Sequence, residues 1–258
     1  MKINCLQTDI IWEDRDANFA RVVTLVEEGK PEPGSLLVLP ELFSVGFSMN
    51  LDKIAEPEEG PTYQLMVDLA KKYNVYVNGG FVTRGPDGRG RNESALIAPD
   101  GHLLTRYHKI HPFTFGEQQH YSAGDEIRVV ALGDFQVAPF ICYDLRFPEI
   151  FRVAASRGAD LMIVIANWPV ARIHHWTALL IARAIENQCY VVGVNRIGDD
   201  PTLHHTGHSC VVDPLGTVIM DAGEREGMFT AEIEIDNVLD VRARLPFLAD
   251  MRSDFLCK

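Results

Sequence analysis

Residues 135–166 read FQVAPFICYDLRFPEIFRVAASRGADLMIVIA, and this stretch decides the fold. The apolar run Phe135–Cys142 reads as a strand. Phe147, Ile150, Phe151 and Ala154 then recur at helical spacing until Gly158 stops them, and Leu161–Ala166 is a second short run rich in β-branched residues. A strand, a helix and a strand in this order indicate a layered α/β fold. Downstream, a helix is expected from about Arg172 to Gln188. Its apolar residues Ile173, Trp176, Leu179, Leu180, Ile181 and Ile185 spread around the axis, which predicts burial on more than one side. A strand at Tyr190–Asn195, a hairpin across Val211–Val218 and a strand at Phe229–Ile235 follow.

Upstream the pattern is the same. A strand at Ile3–Thr8 precedes an amphipathic helix with Phe19, Val22, Val23 and Val26 on one face, stopped by Gly29 and Pro31. Next come a strand at Leu36–Pro40, a helix with Met66, Leu69, Ala70 and Tyr73 on its face, and strands at Val75–Thr83 and Ser94–Ala98. The turn Pro99-Asp-Gly101 reverses the chain into Leu103–His108, an antiparallel hairpin. Parallel and hairpin-paired strands are therefore mixed, which disfavours an open, all-parallel Rossmann sheet, and no Gly-x-Gly-x-x-Gly or phosphate loop is present. With no linker, repeat or low-complexity segment, the chain is expected to form one domain over 1–258, with 236–258 as a C-terminal tail.

Composition excludes several functions. The 258 residues are 47% hydrophobic and 23% charged, ordinary for a globular chain, so disorder and fibrous structure are out. Twenty-four Lys and Arg against 36 Asp and Glu leave a net charge of −12, which repels phosphate backbones and anionic lipid. No apolar run approaches the roughly 18 residues of a membrane span, and Met1–Asp9 turns polar too early for a signal peptide. A cytoplasmic protein without nucleic-acid or membrane partners is expected. Five widely spaced cysteines with no Cys-x-x-Cys pair suggest neither a disulfide framework nor a zinc ribbon.

Three reactive residues stand where strands stop: Glu41 after Leu36–Pro40, Lys109 after Leu103–His108, and Cys142 after Val137–Ile141. Ligands collect at the carboxyl ends of strands in layered α/β proteins, so these residues could share one rim, joined by Asn167-Trp168-Pro169. A thiol nucleophile needs a base or a neighbouring cation, and a carbonyl under attack needs positive charge where the oxyanion forms. Cys142 could attack, Glu41 shuttle the proton and Lys109 stabilise the oxyanion, with the backbone N–H of Tyr143 as a second donor. Desolvation is expected to raise the Glu41 pKa toward neutrality. A Cys–His hydrolase is the rival at this point, with His108 and His111 flanking Lys109.

At these segments the chain resembles the nitrilase superfamily of carbon–nitrogen hydrolases. The residues that carry the resemblance are Leu39-Pro-Glu-Leu-Phe43, Tyr107-His-Lys-Ile-His111 and Ile141-Cys-Tyr-Asp-Leu-Arg-Phe-Pro148, in the order Glu, Lys, Cys. The resemblance implies a four-layer α-β-β-α sandwich with mixed sheets and a homodimer or higher homo-oligomer joined through the helices after the cysteine strand. It also implies no metal or organic cofactor. It makes Glu41, Lys109 and Cys142 a catalytic triad and Glu117, eight residues beyond Lys109, a supporting carboxylate. Cys142 is then the reactive thiol, the other four cysteines are packing or surface residues, and His204-His205-x-x-His208 is a polar loop rather than a zinc site.

The segment Ala166–Arg172, with His175-Trp176, Ala182–Gln188 and Asn195-Arg196, resembles the ω-amidase branch, which cleaves the terminal amide of small dicarboxylate monoamides such as 2-oxoglutaramate and 2-oxosuccinamate. Such a substrate needs a cation for its far carboxylate, for which Arg146, Arg172 and Arg196 are candidates. Phe43, Phe115 and Trp168 are expected to wall the pocket. A nitrilase, an N-carbamoyl amino acid hydrolase, another short-chain amidase and a catalytically inactive binding member of the same fold are the alternatives.

Overall fold

The structure, a computed structural model, describes residues 1–252 and 254; Cys257 lies outside the described residues. The first half of the chain forms β1 (Lys2–Gln7), α1 (Arg15–Gly29), β2 (Leu36–Val38), α2 (Leu51–Ile54), α3 (Pro61–Tyr73), β3 (Tyr76–Arg84), β4 (Gly90–Ile97) and β5 (Leu103–His108). It continues with α4 (Glu117–His120), β6 (Val130–Leu132), β7 (Phe135–Ile141), α5 (Pro148–Ser156), β8 (Leu161–Ala166), α6 (Ile173–Asn187) and β9 (Tyr190–Asn195). A small hairpin of β10 (Ile197–Asp199) and β11 (His204–Thr206) precedes β12 (Cys210–Val212), β13 (Val218–Asp221), β14 (Gly227–Glu232) and α7 (Ile235–Arg244).

Helix ends follow local chemistry. The Asp14 carboxylate accepts the Ala17 N–H at the start of α1, Pro61 opens α3, and Asn74 leaves α3 in the left-handed conformation that an Asn tolerates. Strands β14-β1-β2-β3-β4-β5 form one six-stranded sheet and β13-β12-β9-β8-β7-β6 the other. Each has three parallel strands at its centre, β1-β2-β3 and β7-β8-β9, and antiparallel strands outside them.

The alternation of β2 shows how the layers stack. Leu36 and Val38 face the second sheet, in one core with Val137 and Ile163, whereas Leu37 and Leu39 face outward, in one core with Val22 and Val26 of α1 and Met66 and Leu69 of α3. On the far side, Phe151 and Ala154 of α5 and Trp176, Leu180 and Ala184 of α6 cover the second sheet. All six residues of β8 are buried, because sheet and helices cover both of its faces. The result is the four-layer α-β-β-α sandwich.

One expectation is corrected. Helix α6 is not covered on more than one side within the chain: Trp176, Leu180 and Ala184 are buried, but Ile185 is 46% exposed. The 236–258 segment closes the chain's own edge over its first part, where Val238 and Val241 of α7 are buried and Arg242 donates to the carbonyls of Gln188 (3.0 Å) and Ala159 (2.8 Å). No helix among the described residues is long and apolar enough to cross a membrane.

Candidate active site

Four strands deliver the site. Glu41 follows β2, Lys109 follows β5, Cys142 follows β7 and Asn167 follows β8. Two of the turns are sharp enough to put a side chain in the left-handed region, Leu42 at φ 45° and Cys142 at φ 48°. That conformation is costly for residues other than Gly and concentrates at functional sites. The Glu41 turn lies directly on β3: a Cβ on Gly80 would stand 2.8 Å from Glu41 Cα and from the Leu42 nitrogen, so only glycine fits beneath it. The Cys142 turn is held by the buried carboxylate of Asp144, which accepts from the Ile141 N–H (3.1 Å), the Tyr107 hydroxyl (2.7 Å) and the His111 N–H (2.9 Å). Asp144 thereby fastens the thiol's turn to the segment that carries Lys109.

Lys109 Nζ lies 3.0 Å from Glu41 Oε1 and 2.8 Å from Glu117 Oε2, and all three side chains are buried. A single amide joins the two carboxylates: Asn92 Nδ2 donates to Glu41 Oε1 at 2.8 Å and to Glu117 Oε1 at 2.9 Å. Backbone N–H groups complete both carboxylates, Asn167 donating to Glu41 Oε2 (2.8 Å) and Phe113 to Glu117 Oε2 (2.6 Å), the oxygen that also holds Lys109.

These contacts settle the charge states. Burial would raise the Glu41 pKa, but the Lys109 ammonium and the donors of Asn92 and Asn167 outweigh it, and the carboxyl is lowered below its ordinary value. The expected rise toward neutrality is thus corrected; hydrogen bonding and charge beat desolvation. Glu117 is the carboxyl that rises, through burial first, which Lys109 opposes and the charge of Glu41 reinforces. Burial works against the Lys109 charge, yet Glu117 and Glu41 together hold its pKa well above the usual value. Burial and the charge of Glu41 push the Cys142 thiol well up, with Lys109 only partly offsetting them. The thiol therefore rests protonated and needs a base, and an ionised Glu41 is poised beside it.

His108 Nε2 bonds the Ser122 carbonyl at 2.9 Å, while His111 Nδ1 bonds Asp144 at 2.9 Å and its ring stacks on Phe147. The largest charge effects on the Cys142 thiol come from Glu41, Lys109 and Glu117. The other described cysteines are buried among apolar side chains, with the Cys189 and Cys210 thiols pushed up to about 12 by burial.

A cleft opens over Cys142. Phe47, Phe113, Tyr143, Asn167, Trp168, Pro169, Arg146 and Arg172 line it together with Cys142. Arg146 stacks over the Trp168 ring at 4.8 Å and Arg172 over Phe113 at 5.8 Å. Among the described residues neither guanidinium pairs with a carboxylate; Arg146 reaches His175 Nδ1 at 3.3 Å, and burial, followed by the charge of Arg172, lowers the Arg146 pKa. The cleft therefore carries two cations on a chain of net charge −12.

The structure brings Glu41, Lys109, Glu117, Cys142, Tyr143, Trp168, Arg146 and Arg172 together. It places three expected pocket residues elsewhere. Phe43 is fully buried in the core between β2, β3 and the outer helices, because the Glu41 turn points it inward. Phe115 is 80% exposed beyond the cleft. Arg196 is buried behind the site, donating to Asp9 Oδ1 (3.2 Å) and to the carbonyls of Ile10 (3.1 Å) and Asp199 (2.9 Å). Phe47 and Phe113 take the wall positions, and Asn92 is the residue the sequence reading passed over. Its signal was the polar alternation Arg91-Asn-Glu93, where β4 already runs four residues ahead of the expected start at Ser94.

A half-buried thiol, a buried lysine and two buried carboxylates at the rim of an α-β-β-α sandwich define a cysteine hydrolase that acts on carbon–nitrogen bonds. The family model described as carbon-nitrogen hydrolase matches residues 2–243, and the chain belongs to that family, within the nitrilase superfamily. Its relatives include the 2-oxoglutaramate amidase of Bacillus subtilis (strain 168), 35% identical over 98% of each chain. Omega-amidase YafV of Yersinia enterocolitica is 38% identical over 97% of this chain and 96% of its own. A CN-hydrolase superfamily protein of Xanthomonas campestris has the same fold at a TM-score of 0.91, with 36% identity over 98% of this chain and 97% of that one. This chain is accordingly a hydrolase of amides.

Proposed function

We propose that the chain is an ω-amidase, hydrolysing the terminal amide of a small dicarboxylate monoamide such as 2-oxoglutaramate or 2-oxosuccinamate to the diacid and ammonia. The observation that carries this reading is the pair of guanidinium groups, Arg146 and Arg172, free of carboxylate partners among the described residues and opening on the same cleft as Cys142. Two such forks suit a distal carboxylate, and Trp168 holds one of them flat. The names of the relatives support the same substrate class.

In this mechanism Glu41 takes the proton of the Cys142 thiol as sulfur attacks the amide carbonyl. Lys109 and the backbone N–H of Tyr143 face the oxyanion that develops. Glu41 returns the proton to the departing nitrogen, so that ammonia leaves and a thioester remains. A water then gives its proton to Glu41 and attacks the thioester; the acid departs, and the proton goes back to sulfur. Glu117 orients Lys109 throughout from its anchor on the Phe113 N–H. The chain works as one domain in the cytoplasm, as a homodimer formed through the exposed flank of α6 around Ile185, which light scattering on the purified protein tests.

The deciding experiment measures ammonia release from 2-oxoglutaramate beside glutamine, an N-carbamoyl amino acid and a simple nitrile. The expected order puts 2-oxoglutaramate first in kcat/KM. Faster turnover of any of the other three refutes the substrate assignment, and turnover of none supports the inactive-member alternative.

A further inference from the structure

The β10–β11 hairpin belongs to neither main sheet, yet its tip reaches the active-site cleft, where Leu203 is a lining residue. Its root is fixed. Buried Arg196 is tied to Ile10 and Asp199 carbonyls, the Ile197 N–H donates to the Thr8 carbonyl at 3.0 Å, and the buried His205 fills the space below. The tip is preformed as well. Asp200 Oδ1 accepts from the Thr202 N–H (2.7 Å), the Thr202 hydroxyl (2.9 Å) and the Leu203 N–H (2.7 Å), while the Asp200 N–H donates to the Leu203 carbonyl at 2.9 Å. A rigid arm therefore presents a leucine to the cleft and leaves it 41% exposed.

The other side chains around the cleft are mostly aromatic or carry polar and charged groups. An aliphatic side chain left 41% exposed at such a cleft gains apolar contact when an apolar part of a substrate fills the space beside it. In a monoamide bound with its carbonyl at Cys142 and its carboxylate at the two arginines, the apolar part is the methylene chain between them. We infer that Leu203 is a specificity-determining residue that limits the length of that chain, with Arg196 and His205 serving to hold the hairpin that carries it. This inference rests on the amidase reading above.

The test compares kcat/KM for the half-amides of the four-, five- and six-carbon dicarboxylic acids in the native enzyme, Leu203→Ala and Leu203→Phe. A pocket discriminates one methylene by about tenfold or more. Leu203→Ala is expected to raise the six-carbon over five-carbon ratio about tenfold, chiefly through KM, and Leu203→Phe to move preference toward the four-carbon substrate. The rate at which iodoacetamide alkylates Cys142, a small neutral probe, stays within about twofold in both variants and shows that the thiol's surroundings are intact. Unchanged length ratios in two active variants overturn the role of Leu203 alone. A native enzyme that cleaves other amides but none of the half-amides overturns the ω-amidase reading and this inference with it.

Discussion

Replacing Asn92 by leucine, which keeps the side chain's shape and removes its donors, tests how the site sets its charges. Asn92 Nδ2 supplies one hydrogen bond to each buried carboxylate, at 2.8 Å to Glu41 and 2.9 Å to Glu117. A hydrogen bond to a charged group contributes about 1.5–3 kcal/mol. One pH unit of titration shift corresponds to about 1.4 kcal/mol, so losing this bond raises the Glu41 titration by about one to two pH units. The direction is fixed because the bond favours the ionised form, the form able to take a proton from Cys142. The acid limb of the kcat/KM profile should move up by that amount, with the largest loss of activity in mildly acid solution. Stability changes in a matching way. A depressed carboxyl stabilises the fold above its unfolded pKa and loses that contribution as pH falls through the folded one. Asn92→Leu should therefore melt lower than the native protein at neutral pH, with the gap narrowing on acidification. A folded variant whose acid limb stays in place refutes this account of the charge states.

Three further outcomes follow from the geometry. Gly80→Ala puts a methyl 2.8 Å from backbone atoms of Glu41 and Leu42, so the turn must shift, and a misplacement of about 1 Å costs on the order of 100-fold in kcat; near-native activity in a well-folded variant would argue against it. Asp144→Asn weakens the anchor between the Cys142 turn and Tyr107 and His111, and should lower stability by about 2–4 kcal/mol by urea titration. Arg146→Ala and Arg172→Ala should each raise KM for a dicarboxylate monoamide by about 10-fold or more while changing turnover of a neutral amide far less, as expected when one charge-assisted carboxylate contact is lost.

Strand ends made much of this site legible in the sequence. The short strand runs before Glu41, Lys109 and Cys142 mark where each strand stops, and helical spacing marks α1, α3 and α5, so a layered α/β fold with a rim the three residues could share follows from pattern, while the four layers and the triad came with the resemblance to the nitrilase superfamily. Side-chain direction beyond the strand ends does not. Leu42 and Cys142 adopt left-handed conformations that no periodicity announces, and the first of these turns sends Phe43 into the core. Asn92 was hidden because the outer half of β4 is polar: Glu93 pairs with Thr83 and Arg106 in place of apolar neighbours, so no apolar pattern marks the stretch as strand before Ser94. Arg196 looked like a ligand for an anion because nothing in the sequence reveals that three carbonyls and Asp9 already surround it. The Glu41 pKa was misjudged for a related reason, since its donors come from residues 51 to 126 positions away.

The central claim is that Cys142 is the nucleophile. Ammonia release from 2-oxoglutaramate by Cys142→Ala, read beside its melting temperature, tests it most directly, because the substitution removes a sulfur and leaves the hydrogen bonds of Glu41, Lys109 and Glu117 in place. The account predicts a variant that melts near the native temperature and releases no ammonia above the uncatalysed rate. Substantial turnover by the folded variant would contradict it.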